Sequence, residues 1–155
     1  MNGQRLLRNR RVIAGGAAAA GAALALAAAA WMWAPAQGVP DDFAGAWSGE
    51  LTQMETETGT FLSEWQVTVR LAEGAASGTA ELAGLHCRGR LTLTGADGDT
   101  ARFRYIETAD DDRRCVDTSM LVLRREGEQR RQLEADWRTS PDSVPAMAST
   151  GQLFR

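Results

Sequence analysis

From residue 43 onward the sequence alternates between apolar and polar residues with a period of two. The clearest stretch is Phe61–Leu71, in which Trp65, Val67 and Val69 fall on one face and polar residues fall on the other. Because successive side chains of a strand point to opposite faces, this pattern indicates strands with one packed face and one wet face. The alternation therefore predicts an all-β domain.

Turn residues divide this region into eight short stretches, with no helical periodicity between them. We predict strands at Gly45–Gln53, Phe61–Leu71, Thr79–Leu82, His86–Thr94, Thr100–Glu107, Val116–Arg124, Gln132–Arg138 and Ser149–Arg155. An open sheet of eight strands would leave its apolar face bare and two edges unpaired. We therefore expect the first strand to close on the eighth, which gives an eight-stranded antiparallel up-and-down barrel. The sixth strand is ambiguous: we expect Leu121 and Leu123 to point inward, although Met120 and Val122 are also apolar.

Five aromatic residues fall on the inward faces of the predicted strands. With eight strands, a barrel interior is either just filled by side chains or holds one small ligand. The aromatic residues are therefore candidates either for the core or for the lining of a ligand site; they are Trp47, Trp65, Phe103, Tyr105 and Trp137.

The first strand begins with Gly45-Ala46-Trp47. This segment is similar to the Gly-x-Trp motif on the first strand of lipocalins, in which an arginine of the last strand covers the indole. The resemblance implies a lipocalin- or avidin-like architecture. It also implies that Arg155 lies over Trp47 in a cation–π contact.

Residues 12–34 carry no charge, and the four arginines that precede them have no acidic neighbour. Twenty-three helical residues span roughly 34 Å, enough for a hydrocarbon core of about 30 Å. Under the positive-inside rule we predict a cytoplasmic segment 1–11, a transmembrane helix or signal anchor 12–34, a linker 35–42 and an extracytoplasmic domain 43–155. The alternative is a signal peptide that is cleaved near Ala36, which would release a secreted protein.

The charges are unevenly distributed between the two parts of the chain. Four of the 17 basic residues precede residue 40, which leaves 13 basic and 20 acidic residues in 41–155, a net charge of −7. An acidic domain is poorly suited to nucleic acid, whose binding depends on clustered cations. All basic residues are arginine, so chemistry that needs a lysine, such as a Schiff base, is excluded.

Cys87 and Cys115 are the only cysteines. In an exported domain such a pair predicts a disulfide. Strand five separates their strands, so the bond requires Cys115 to lie in the loop and fold toward the end of the barrel. The alternative is a metal site made of His86, Cys87, Cys115 and Asp117. We expect the ligand site at the opposite, open end of the barrel.

No other motif specifies chemistry. Asp97-Gly98-Asp99 is typical of a hairpin turn, and Asp110-Asp111-Asp112 of a solvated loop; neither has the further ligands of a calcium loop. A Ser-His-Asp triad would have to use His86, with no nucleophile elbow in the sequence. We predict no catalytic, cofactor or metal residues and no enzyme activity; an envelope hydrolase that uses acidic residues is a remote alternative.

Six short motifs occur in a characteristic order, at Gly45–Gly49, Gly78–Ala80, His86–Leu93, Cys115–Asp117, Leu133–Trp137 and Gly151–Arg155. In this order the chain resembles the small extracytoplasmic β-domain that follows the transmembrane helix of actinobacterial receptor-type serine/threonine kinases. Only eleven residues precede the apolar segment, so we expect the kinase domain to be absent. The resemblance implies a sensing or binding role and no phosphotransfer.

Together these patterns predict a membrane-anchored extracytoplasmic barrel that binds a small molecule or an envelope protein. The membrane would be contacted through residues 12–34. The alternative is a secreted, lipocalin-like carrier of a small apolar ligand bound beside Trp47, Trp65 and Trp137.

Overall fold

The computed structural model describes residues 38–155, with the exception of 126, 128–130 and 141. The predicted segments 1–11 and 12–34, and the first linker residues, lie outside the described part of the chain. Within the described part, no helix is both long enough and apolar enough to cross a bilayer.

The described residues form a closed antiparallel barrel in which each strand pairs with its neighbours in the sequence and β1 pairs with β8. The strands are β1 Gly45–Glu55, β2 Phe61–Leu71, β3 Ser77–Ala83, β4 Cys87–Asp97, β5 Thr100–Asp110, β6 Thr118–Arg125, β7 Gln132–Thr139 and β8 Met147–Phe154. The predicted all-β, eight-stranded barrel is confirmed. Strands β4 and β5 extend three residues beyond their predicted ends, because bulges at Arg88/Gly89 and Leu93/Gly95 let their pairing continue.

The inward faces of all eight strands meet in one hydrophobic core. In β6, Leu121 and Leu123 are fully buried, whereas Met120 and Val122 are only partly buried. This resolves the ambiguous period of that strand as predicted. Two serines, Ser119 and Ser149, are also buried on inward positions, which hydrophobic alternation does not indicate.

The seam between β1 and β8 closes the barrel, and two glycines set how near the strands approach. Gly49 pairs with Leu153 and Gly151 pairs with Leu51. A Cβ added at Gly49 would lie 2.0 Å from the carbonyl oxygen of Gln152, and one at Gly151 would lie 2.1 Å from that of Glu50. Side chains are therefore excluded at both positions while the seam keeps this geometry.

The end of the barrel at which the chain enters is plugged. The 3-10 helix Asp41–Phe43 lies across it, with Val39 and Phe43 buried. Val39 donates its N–H to Ala75 O at 2.9 Å, and Gly74 donates to Val39 O at 2.9 Å. Residues 38–42, the later part of the predicted linker, are therefore packed against the barrel.

Trp47 and Arg155 complete this plug. The indole Nε1 of Trp47 donates to Phe43 O at 2.9 Å. The Arg155 guanidinium lies 4.7 Å from the centre of the Trp47 ring and donates to Ala44 O at 2.7 Å. The predicted contact of Arg155 with Trp47 is present, and it joins the first and last strands at their plugged end.

We predict that Gly151→Val destabilises the barrel by about 1–3 kcal/mol, because the added side chain forces β1 and β8 apart. The measurement is the urea midpoint of unfolding, with an unchanged m-value. Gly95→Ala is the control: nothing lies within 4 Å of its added Cβ, so we expect a change within about 0.5 kcal/mol. Equal effects of the two substitutions would contradict the tight seam.

Candidate functional site

The disulfide lies at the end of the barrel opposite the plug. Cys87 is the first residue of β4, and Cys115 lies in the loop 111–117 between β5 and β6. Their Cα atoms are 6.4 Å apart. The predicted disulfide is confirmed, and it forms because Cys115 lies in the loop, where it can pass over the end of β5.

Asp110 holds the start of this loop. Its Oδ1 accepts the backbone N–H of Arg114 at 3.0 Å, and its Oδ2 accepts that of Cys115 at 3.1 Å. Partial burial raises the pKa of Asp110, but these bonds, together with those from the N–H groups of Arg113 and Asp112, outweigh burial and lower it. The charged carboxylate is thus the form that fixes the loop.

A cavity of about 130 Å³ opens beneath this loop. We call the cavity and its rim the mouth; its lining residues are Gln53, Trp65, Leu82, Leu85, Tyr105, Arg114, Cys115, Val116, Ser119, Trp137, Thr139, Met147 and Ser149. The prediction that the open end lies away from the cysteine pair was wrong. Val39 and Phe43 fill that other end. Both residues precede β1, so the alternation within the strands does not indicate that they are buried.

Three aromatic rings form the inner wall of the mouth. Trp65 and Trp137 meet edge to face with ring centres 5.5 Å apart, and Tyr105 meets Trp137 at 5.0 Å. The indole Nε1 of Trp137 donates to Ser119 Oγ at 2.6 Å. Edge-to-face packing holds the rings in fixed orientations, so the wall is preformed.

Two of the residues that line the mouth carry a hydrogen-bond donor that has no partner in the described structure. The indole Nε1 of Trp65 and the hydroxyl of Tyr105 are both buried and unbonded within the described structure. Trp65 is 6% exposed and Tyr105 is 1% exposed. A buried polar group without a partner costs about 1–3 kcal/mol, which a bound acceptor would recover.

The five aromatic residues singled out from the sequence divide between two places. Trp65, Tyr105 and Trp137 come together in the mouth. Trp47 lies in the plug, and Phe103 is buried in the core without lining the cavity. The sequence pattern did not indicate the polar lining residues Gln53, Ser119 and Ser149. A polar residue at an inward position interrupts the hydrophobic alternation and carries no further signal.

The carboxyl groups of Glu107 and Asp110 are near enough to the Tyr105 hydroxyl to affect its pKa. Burial, and then the charges of Glu107 and Asp110, raise its pKa well above the ordinary value of 10.0. The hydroxyl therefore keeps its proton at any physiological pH and remains a donor. Partial burial and the charges of Asp110 and Asp117 likewise raise the pKa of Glu107.

The alternative metal site is not assembled in the described part of the chain. The one cluster of three candidate ligands there is Cys87, Asp110 and Cys115, within 4.8 Å of one another, and the disulfide occupies both sulfurs. His86 instead pairs its Nδ1 with Asp112 Oδ2 at 2.8 Å on the surface.

Comparison of the sequence with protein-family models and with curated proteins found no match.

We predict that Glu107→Gln stabilises the protein more at pH 8 than at pH 4. A carboxyl whose folded-state pKa is raised favours folding while protonated, and this contribution is lost as pH rises above its ordinary value of 4.5. Thermal midpoints across this range measure the effect. Glu57→Gln, which removes an exposed carboxylate from the β1–β2 turn, controls for net charge. A gain from Glu107→Gln that is the same at both pH values would contradict the assignment.

Proposed function

We propose that this protein is a non-catalytic binding domain held outside the cell membrane by residues 12–34, and that its mouth binds a small apolar ligand bearing a hydrogen-bond acceptor. The observation that carries this proposal is the pair of unpartnered donors, Trp65 Nε1 and Tyr105 OH, which belong to two residues that line an otherwise largely aromatic and aliphatic cavity.

The size of the cavity limits the ligand. Pockets for drug-sized molecules enclose about 300–1,000 Å³, whereas the mouth encloses about 130 Å³. An apolar cavity of about 150 Å³ takes benzene. The ligand, or the part of it that enters, is therefore about one ring in size. It contacts Trp65 and Trp137 but not Trp47, whereas the secreted carrier predicted as the alternative would hold its ligand beside all three tryptophans.

The chemistry of the wall favours a neutral acceptor such as a carbonyl or ether oxygen. Tyr105 stays protonated, so both unpartnered groups donate and neither accepts. Burial of a carboxylate beside Glu107 and Asp110 would be opposed by their charge. The exposed Arg114 lies at the rim, where it can contact a polar group that stays outside.

Export is supported by the disulfide, which persists in oxidising compartments. It is also supported by the sequence of a basic segment followed by 23 uncharged residues.

Binding is tested with benzaldehyde and with toluene, which lacks the acceptor, by calorimetry on the full-length protein in non-ionic detergent. We expect benzaldehyde to bind about 5- to 10-fold more tightly, since one net hydrogen bond contributes about 1 kcal/mol. The double variant Trp65→Phe/Tyr105→Phe should lose this preference and still bind toluene.

Trp137→Phe is the matched control, because its N–H is already bonded to Ser119 and the preference should remain. Equal affinities for benzaldehyde and toluene in the wild-type protein, or no binding of either, would overturn the proposed site.

The anchor is tested by cell fractionation. We expect the protein in the membrane fraction, extracted only by detergent, with residues 12–34 intact. Recovery of the protein from the medium with an N-terminus near Gln37 would show cleavage, and would favour the secreted carrier.

A further inference from the structure

Four arginines lie close together on the outer face of the barrel. Arg70, Arg88, Arg90 and Arg104 are exposed, and within the described residues none forms an ion pair. Other arginines of the barrel are paired: Arg102 contacts Asp97 at 2.6 Å, and Arg138 contacts Asp136 at 2.9 Å. Residues 41–155 contain 20 acidic and 13 basic residues. Carboxylates are therefore in excess, and their number does not explain why these arginines form no ion pair in the described part of the chain.

The register of the sheet brings these arginines together. Arg70 of β2 lies opposite Thr79 of β3, and Thr79 lies opposite Arg90 of β4. Neighbouring strands are about 4.8 Å apart, so the Cα atoms of Arg70 and Arg90 are separated by roughly 10 Å. Arg88 precedes Arg90 by two residues and lies on the same face of β4. Arg104 of β5 is the diagonal neighbour of Arg90, with their Cα atoms about 7–8 Å apart.

A shallow groove crosses β3 beside this cluster, and two of its arginines, Arg70 and Arg88, line it. Thr79, the outward residue of β3 between Arg70 of β2 and Arg90 of β4, is short, so the surface is recessed at that position. The groove encloses about 300 Å³ and is lined by Thr68, Arg70, Thr79, Ala80, Glu81, Arg88, Gly89, Thr108 and Ala109. That volume is at the lower limit of ordinary small-molecule sites.

The groove mixes cations with hydroxyl groups and one carboxylate. Thr68, Thr79 and Thr108 offer hydroxyls, and Glu81 lies opposite Arg88 in the β3–β4 pair. Guanidinium groups bind carboxylates through paired hydrogen bonds. A carboxylate such as Glu81 repels a purely anionic ligand but accepts hydrogen bonds from hydroxyl donors. The ligand that satisfies both kinds of group carries anionic groups and hydroxyls together.

We propose that this groove binds an acidic polysaccharide, with Arg70 and Arg88 on either side of the chain and the threonines and Glu81 contacting its hydroxyls. A flat anionic membrane fits less well, because Glu81 and the recessed floor at Thr79 separate the cations. The groove lies on the outside of the sheet, so it functions independently of the mouth.

The test uses the full-length protein in non-ionic detergent, in calcium-free buffer at physiological salt. Calorimetry is carried out with tetragalacturonate, with the uncharged maltotetraose and with tetraphosphate, and sedimentation with vesicles that contain an anionic phospholipid. We expect saturable 1:1 binding of tetragalacturonate, weakened by added salt. Maltotetraose should not bind measurably, and tetraphosphate and the vesicles should bind more weakly.

Arg70→Gln should weaken tetragalacturonate binding about tenfold or more, because it removes a charged hydrogen-bonding group from the groove. Arg124→Gln is the matched control: it removes the same charge from β6, where Arg124 lies near Glu134, and the affinity should stay within about twofold. Thermal midpoints confirm that both variants are folded. Equal loss in both variants, or absence of tetragalacturonate binding, would overturn the site. Tighter binding of tetraphosphate or of the vesicles would overturn the ligand class.

Discussion

Pairing of β1 with β8 is the interaction on which the rest of this structure depends. Without it, the sheet would expose two unpaired edges and an apolar inner face. The seam is tight because Gly49 and Gly151 leave room for the facing carbonyl groups. Arg155 extends the same closure beyond the end of the strands, since it lies over Trp47 and bonds to the chain just before β1. The first and last strands therefore also fix the plug, which fills one end of the interior.

Closure gives the barrel two different ends. Val39, Phe43 and the Trp47–Arg155 contact fill one end with packed side chains, whereas the disulfide end is covered by a loop that is held by Cys115 and by the carboxylate of Asp110. A covalent link and charged hydrogen bonds hold this loop without filling the space beneath it. That arrangement leaves a small aromatic-walled cavity, two of whose lining residues, Trp65 and Tyr105, carry donors without a partner in the described structure. The outer face has a second surface, which is basic rather than aromatic. Its arginines form no ion pairs within the described residues, although the domain has an excess of acidic residues.

The sequence predicts the strands and their inward faces well, because both follow from alternation within a strand. Leu121 and Leu123 are examples, as is the contact of Arg155 with Trp47, which the Gly-x-Trp motif indicates. The plug and the grouping of the arginines depend on loops and on strand register, and alternation within a strand does not predict either. Val39 and Phe43 have no periodic neighbours to mark them as a plug, so the open end was assigned to the wrong side. Alternation within β2 and β4 places Arg70 and Arg88 on the outer face, but their proximity depends on how β2, β3 and β4 align, and no pattern within one strand encodes that alignment.

Hydrogen exchange of individual backbone amides, followed by NMR, tests the closed barrel most directly. The amides of Gly49–Gln53 and of Ala148–Leu153 that pair across the seam should be protected as strongly as those in the centre of β4 and β5, because they can exchange only when the whole barrel opens. Exchange of these amides at the much faster rate of an edge strand, while β4 and β5 stay protected, would show an open sheet and contradict the account.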